Sequence, residues 1–282
     1  MPRLLLTNDD GIDSIGLHVL ARAVREHGEV IVAAPDSEYS GSGAALGPLH
    51  LMQPEIRMTP IEGIDTAWSI NGPPGLCVMF ARLGVFGPID LVVSGINPGA
   101  NVGRAVYHSG TVGAALTARN GGVSGIAVSQ AVAGFGIEGQ GWDEMIADQH
   151  WDSAATVGAR VVAAVLEAAP TDPVVVNVNV PNRPVDEIRT WRHAAIGLLP
   201  PRAVVEARLH EVEGRDDVFS VHFEWGDAIE LPPDTDGGAI ERDEVTVSYV
   251  SRLTAERRGD LDAVDEVLDE LLAPAADRKL RA

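Results

Sequence analysis

Continuous apolar runs alternate, over the first two-thirds of the chain, with stretches that place their apolar residues on one face of a helix. The runs cover 3–7, 29–34, 89–94, 125–129 and 173–180. They lack the apolar–polar alternation of a half-solvated strand, so each predicts a strand buried on both faces. Helices are predicted between them over 16–27, 75–83, 110–119 and 153–168. The first carries Leu17, Leu20, Ala21 and Val24 on one face and stops at Gly28. Strand–helix alternation of this kind predicts an α/β fold with a doubly wound, mostly parallel, Rossmann-like sheet. Segment 48–71 is less periodic and predicts short strands or a hairpin.

After Pro181 the texture changes. Residues 182–252 carry scattered prolines and alternating stretches such as Val218-Phe219-Ser220-Val221-His222-Phe223, which predict a smaller β-rich segment. A helix is predicted over 256–272, with Leu261, Val264, Leu268 and Leu271 in one stripe that packs on its own core or on a neighbouring subunit. The expected division is a catalytic core over 1–181 and an accessory segment over 182–282. Residues 131–152, rich in Gly, Ala, Trp and acids, predict a surface excursion, and the tail after Ala273 is expected to fray.

Composition narrows the function. The 282 residues carry 21 Lys and Arg against 41 Asp and Glu, a formal net charge of −20. Polymeric nucleic acid needs a basic face and is excluded as a partner on this ground. A small anionic substrate would need a local remedy, such as a metal ion or helix N-termini. The single cysteine, Cys77, rules out an intrachain disulfide framework and a cysteine-based zinc cluster, and its apolar neighbours read as core. No signal peptide or membrane-spanning run is legible, so the expected compartment is cytoplasmic.

The chemistry gathers where strands end. Asn8-Asp9-Asp10-Gly11 follows the first strand. Ligands of open α/β sheets bind outside the carboxyl ends of the strands. Two adjacent carboxylates there are costly unless a cation or donors offset them; otherwise the segment is a solvated turn. Three polar loops share that edge. Pro35-Asp36-Ser37-Glu38-Tyr39-Ser40-Gly41-Ser42-Gly43 can turn backbone N–H groups toward an anion and offer serine hydroxyls as donors or ligands. Asn97, in Ser94-Gly95-Ile96-Asn97-Pro98-Gly99, can give an amide oxygen to a hard cation or a donor to phosphate. Ser109-Gly110-Thr111 opens a helix, which makes it an anion site or a plain N-cap. Together these oxygens suit Mg²⁺, Mn²⁺ or Ca²⁺ and are poor for zinc.

These segments resemble the SurE (survival protein E) nucleotidases. The resemblance lies in Leu5-Leu6-Thr7-Asn8-Asp9-Asp10-Gly11-Ile12, Ala34-Pro35-Asp36 through Ser40-Gly41, Val93 through Asn101, and Tyr107 through Ala115, in that order. Asn177-Val178-Asn179-Val180-Pro181 and Asp234-Thr235-Asp236 extend it. It implies a metal-dependent phosphomonoesterase acting on nucleoside 5'- and 3'-monophosphates, with one divalent ion per subunit held by Asp9, Asp10, Ser40 and Asn97. It also implies phosphate contacts from Asn8, Ser109, Gly110 and Thr111, to which the reading of the loops adds Gly41 and Asn97, and dimers or tetramers built through the C-terminal segment. Asp9 or Asp10 is the expected base, and His108 is a candidate leaving-group acid. The chain departs from the pattern at Gly72-Pro73-Pro74-Gly75-Leu76-Cys77-Val78, where relatives more often have Gly-Thr-Pro-Ala-Asp-Cys-Val; this points to altered substrate preference or packing rather than a lost ligand. One rival is a non-catalytic metal or nucleotide sensor using the same pocket. The other is a dinucleotide-dependent oxidoreductase, against which the missing G-x-G-x-x-G after the first strand argues.

Overall fold

The structure is a computed structural model and describes residues 1–51, 53–132, 144, 146–200, 203–251, 253, 255 and 259–272. Its centre is a nine-stranded sheet. The elements over the first part are β1 (Arg3–Thr7), α1 (Ile15–Ala23), β2 (Glu29–Pro35), β3 (Ile56–Met58), β4 (Thr66–Ile70), α2 (Pro74–Arg82), β5 (Leu91–Pro98), α3 (Gly110–Asn120) and β6 (Ser124–Gln130). They are followed by α4 (Trp151–Ala168), β7 (Val175–Val180), β8 (Trp191–His193), β9 (Val204–Glu211), β10 (Phe219–Trp225), α5 (Asp236–Ile240), β11 (Val245–Val250) and α6 (Asp262–Leu271). A 3-10 turn, Gly103–Tyr107, leads into α3.

The sheet order is β3-β4-β2-β1-β5-β6-β7-β11-β8. Strands β4 through β7 in that order pair in parallel. The chain therefore leaves β1 toward β2 and β4, then returns to β1's other side as β5. The carboxyl ends of β1 and β5 flank the point where strand order reverses, the usual ligand crevice of such sheets. Residues alternate across β1: Leu4 and Leu6 pack with Leu17, Leu20, Ala154 and Val162 of α1 and α4, whereas Leu5 packs with Leu76, Cys77 and Ala114 of α2 and α3. This double cover explains why the strands read as unbroken apolar runs.

Differences from the sequence reading have local causes. Helix α1 ends at Ala23 rather than 27, because the chain must turn to start β2 beside β1. A Cβ at Gly28 would stand 2.6 Å from the Pro2 carbonyl oxygen, so the backbone can approach β1 there only as glycine. Segment 48–71 forms the hairpin, with Ile56–Met58 antiparallel to Trp68–Ile70. The expected excursion over 131–152 falls largely on 133–143 and 145, outside the described residues, as does the tail from 273. Cys77 is fully buried and its Sγ–H donates to the Pro73 carbonyl, so it is a core thiol.

The β-rich segment after Pro181 divides its strands. β11 pairs antiparallel with β7 and parallel with β8, so both join the main sheet. One compact unit therefore runs Met1–Val250, past the division expected at 181, and Ser251–Ala282 forms a second. β9 and β10 form a separate antiparallel hairpin. Its register places Leu209 opposite Val221 and Ala207 opposite Phe223 on one face. That face stays open in the single chain, with Leu209 68% and Phe223 60% exposed. In the second unit, Leu261, just before α6, and Val264, Leu268 and Leu271 within it are exposed.

Candidate metal and phosphate site

Asp9 lies two residues beyond β1, buried to 3% exposure. The start of α3 closes on it: the Gly110 N–H donates to Asp9 Oδ2 at 3.1 Å and the Thr111 hydroxyl to Oδ1 at 2.5 Å. Ser109 caps the same helix, its Oγ accepting the Val112 N–H at 3.0 Å. The free N–H groups of a helix N-terminus favour negative charge, and here they receive a carboxylate of the chain itself. Burial pushes the Asp9 carboxyl above its ordinary range, while the Thr111 hydroxyl and the backbone amides hold it down.

Asp10 is less well provided. Its Oδ2 is buried without a hydrogen-bond partner, and so is Asn8 Oδ1. Burial, then the charge of Asp9, then that of Glu38 raise the Asp10 carboxyl to about 8. Two adjacent carboxylates with one oxygen left unpartnered call for a proton or a cation. Among the described residues no group of three or more His, Cys, Asp or Glu is arranged to hold a metal ion. A cation here would therefore complete its shell with neutral oxygens. Those oxygens are hard donors suited to Mg²⁺ or Mn²⁺, and the residues present fit such an ion.

The two neutral candidates arrive on different elements. Asn97 stands at the end of β5, where Leu4–Thr7 of β1 pair with Leu91–Ser94, so it shares Asp10's edge of the sheet. Its Nδ2 donates to the Gly99 carbonyl at 2.7 Å, which leaves the amide oxygen free to ligate. Ser40 is exposed, and its hydroxyl donates to Glu38 Oε1 at 2.8 Å. The loop bearing it is pinned nearby: the Tyr39 N–H donates to the Asp9 carbonyl at 2.7 Å and the Gly43 N–H to the His108 carbonyl at 2.9 Å. Gly41 adopts φ +79 with open space around it. Thus the structure joins Asp9, Gly110 and Thr111 by direct contacts, leaves Ser109 as the cap of the same helix, and brings Ser40 and Asn97 to the same edge without a direct bond to either aspartate. His108 is exposed at the end of the 3-10 turn.

Ser42 also joins the site, although nothing in the sequence separates it from the other serines of its loop. Its Oγ is buried without a partner and would stand 2.9 Å from a Cβ at Gly110. Only the fold, which lays this loop over the start of α3, distinguishes it from Ser37. The site thus offers a buried carboxylate beside a half-buried one, spare oxygens for a cation, and hydroxyls at a helix start. It can hold a divalent ion beside an oxyanion.

A family model described as "Survival protein SurE" matches residues 4–199. The chain is 36% identical over 277 residues to a protein of Methanopyrus kandleri named "5'-nucleotidase SurE", covering 95% of this chain and 97% of that one. It is 34% identical over 251 residues to a protein of Serratia proteamaculans named "5'/3'-nucleotidase SurE", covering 87% and 88%. The crystal structure of a SurE protein from Aquifex aeolicus superposes with a TM-score of 0.70 at 27% identity, covering 96% of this chain and 100% of that one.

Proposed function

Given that the chain belongs to the SurE family, we infer that it is a nucleotidase that hydrolyses the phosphomonoester of nucleoside 5'-monophosphates, and of 3'-monophosphates as well, with the help of a divalent metal ion. The observation that carries this reading is the pairing of Asp9, clamped by the start of α3, with Asp10, whose Oδ2 is left unpartnered. Asp9, Asp10, Ser40 and Asn97 would hold the ion. Bound there, a divalent cation supplies charge neutralisation at the phosphoryl group and a water reactive at neutral pH. The rest falls to the chain. Asp10, ionised once that charge is offset, can take the proton of an attacking water. Asn8, the hydroxyl of Ser42 and the backbone at Gly41 offer donors to phosphoryl oxygens, where charge grows in the transition state, while the Thr111 hydroxyl stays on Asp9. His108, exposed at the end of the 3-10 turn, would protonate the leaving oxygen of a substrate that reaches over that turn.

The test is a hydrolysis panel of 5'- and 3'-monophosphates with Mg²⁺, Mn²⁺ and Ca²⁺, with and without excess chelator. Phosphate release that needs a divalent ion is expected. Undiminished release in chelator contradicts metal dependence, and binding of nucleotide without turnover would make the site a sensor.

The accessory segment supports a homodimer or homotetramer. The apolar face of the β9–β10 hairpin exposes Leu209, Val221 and Phe223, a surface that single-chain proteins usually cover. Light scattering of the intact protein should give a dimer or tetramer mass, reduced by the double variant Leu209→Asp, Phe223→Asp. A monomeric wild type would contradict assembly. No described helix is long and apolar enough to cross a membrane.

A further inference from the structure

Two motifs that carry no part of the chemistry above, Asn177–Pro181 and Asp234–Asp236, meet on one loop. Residues 99–109 join Asn97, at the end of β5, to Ser109, at the start of α3. The first motif grips the loop at Asn101, whose N–H donates to Asn179 Oδ1 at 2.7 Å and whose carbonyl accepts the Asn177 Nδ2 at 2.9 Å. The second grips it at Gly103, whose N–H donates to Asp236 Oδ2 at 2.9 Å. The other oxygen, Asp236 Oδ1, accepts the Gly197 N–H at 2.9 Å and the Gly237 N–H at 2.8 Å.

Asp236 is fully buried. Ionised, a carboxylate offers only acceptor sites, so it can serve three converging N–H groups at once. An asparagine would present one acceptor oxygen and turn an N–H₂ group toward other N–H groups. Burying a charge for cohesion alone is poorly rewarded, since an apolar replacement often does as well. What the carboxylate adds is position. Gly103 opens the 3-10 turn, and the Ser109 N–H donates to the Ala105 carbonyl at 2.9 Å within it. Any shift at Gly103 is thereby passed to Ser109, and from there to the two donors on Asp9.

We propose that Asp236, at the start of α5, is a positioning residue for the active site: through Gly103 it sets where the turn delivers Gly110 and Thr111 against Asp9. The proposal rests on the nucleotidase reading for its catalytic consequence, and on the hydrogen bonds alone for its structural one.

The test compares Asp236→Ala and Asp236→Asn with Val162→Ala in the full-length protein. Val162 is buried on α4, away from this loop, and its variant supplies a matched loss of stability. With saturating Mn²⁺ and a nucleoside monophosphate, both Asp236 variants should lose roughly tenfold to a hundredfold in kcat, the scale of a small misplacement of reacting groups. Val162→Ala should keep its kcat. Hydrogen exchange over 103–111 should quicken in the Asp236 variants alone. Normal kcat in a folded Asp236 variant overturns the proposal, whatever its melting temperature, and so does unchanged exchange over 103–111. If Asp236→Ala does not fold, Asp236→Asn, which keeps the side chain's size and one acceptor, decides. If the wild type releases no phosphate, the nucleotidase reading fails by itself, and the exchange comparison still decides whether Asp236 positions the turn.

Discussion

Asp10→Asn is expected to cut phosphate release by roughly a hundredfold to a thousandfold or more, the scale of losing one group that meets transition-state charge, and at the same time to stabilise the metal-free protein at alkaline pH. Both effects follow from one fact. Burial and the neighbouring charges of Asp9 and Glu38 raise the Asp10 carboxyl from 3.8 to about 8 in the folded state. Between those values the folded protein holds a proton that the unfolded chain has released. Stability from this group is therefore full below pH 3.8 and is lost as pH rises through about 8. The amide of the Asp10→Asn variant is neutral throughout and would not suffer that loss. In chelator, the variant's melting temperature should exceed the wild type's at pH 8.5, and the gap should close toward pH 4. With a divalent ion the order should reverse, because only the wild type gains ligand stabilisation. Calorimetry at the two pH values, with and without the ion, reads all four states. A variant less stable than wild type in chelator at pH 8.5 would contradict a strained carboxylate pair.

Gly110→Ala is the second large effect. A Cβ there would stand 2.7 Å from Asp9 Cβ, 2.8 Å from Asp9 Oδ2 and 2.9 Å from Ser42 Oγ. The two Asp9 atoms cannot give way freely, since Asp9 is held by Thr111 and its backbone by Tyr39. The methyl must part α3 from Asp9 and break the contact made by the Gly110 N–H. Overpacking of this kind costs about 1–3 kcal/mol. Displacing the carboxylate by a fraction of an ångström should cost about a hundredfold in kcat/KM. Thermal melting and steady-state phosphate release measure the two losses separately. A folded Gly110→Ala variant with normal kcat/KM would show that α3 does not position Asp9.

The fold was legible wherever one local period settled the matter. Leu4-Leu5-Leu6 and the runs at 29–34 and 125–129 are strands because both faces are covered, and their apolar continuity says so without reference to partners. Asp9, Asp10, Asn97 and Ser109–Thr111 were legible because each stands at a strand end or helix start, and topology then delivers those points to one edge. The remainder depended on contacts that no period encodes. β11 reads like any alternating strand, yet it enters the main sheet because β7 offers it a free edge. The anchoring of Asn101 by Asn177 and Asn179 spans more than seventy residues of sequence, and that of Gly103 by Asp236 spans 133. Ser42 is one of several serines in its stretch, and only the closing of the loop on Gly110 sets it apart. Ser109–Thr111 reads in the sequence as a cradle for phosphate, whereas in the structure two of its donors hold Asp9.

That arrangement gives the site its logic. Asp9 is fixed and donor-supplied, whereas Asp10 is short of a partner, so the pair waits for a positive charge. The most direct measurement is calorimetric titration of Mn²⁺ into chelator-stripped wild type and Asp10→Asn at pH 7, in buffers of different ionisation enthalpy. One ion should bind per subunit of the wild type with release of most of one proton, because Asp10 at about 8 is largely protonated at that pH. The variant should bind far more weakly and release less. Wild-type protein that binds no ion, or that binds it without releasing a proton, or a variant that behaves as the wild type does, would contradict a metal site built on this pair.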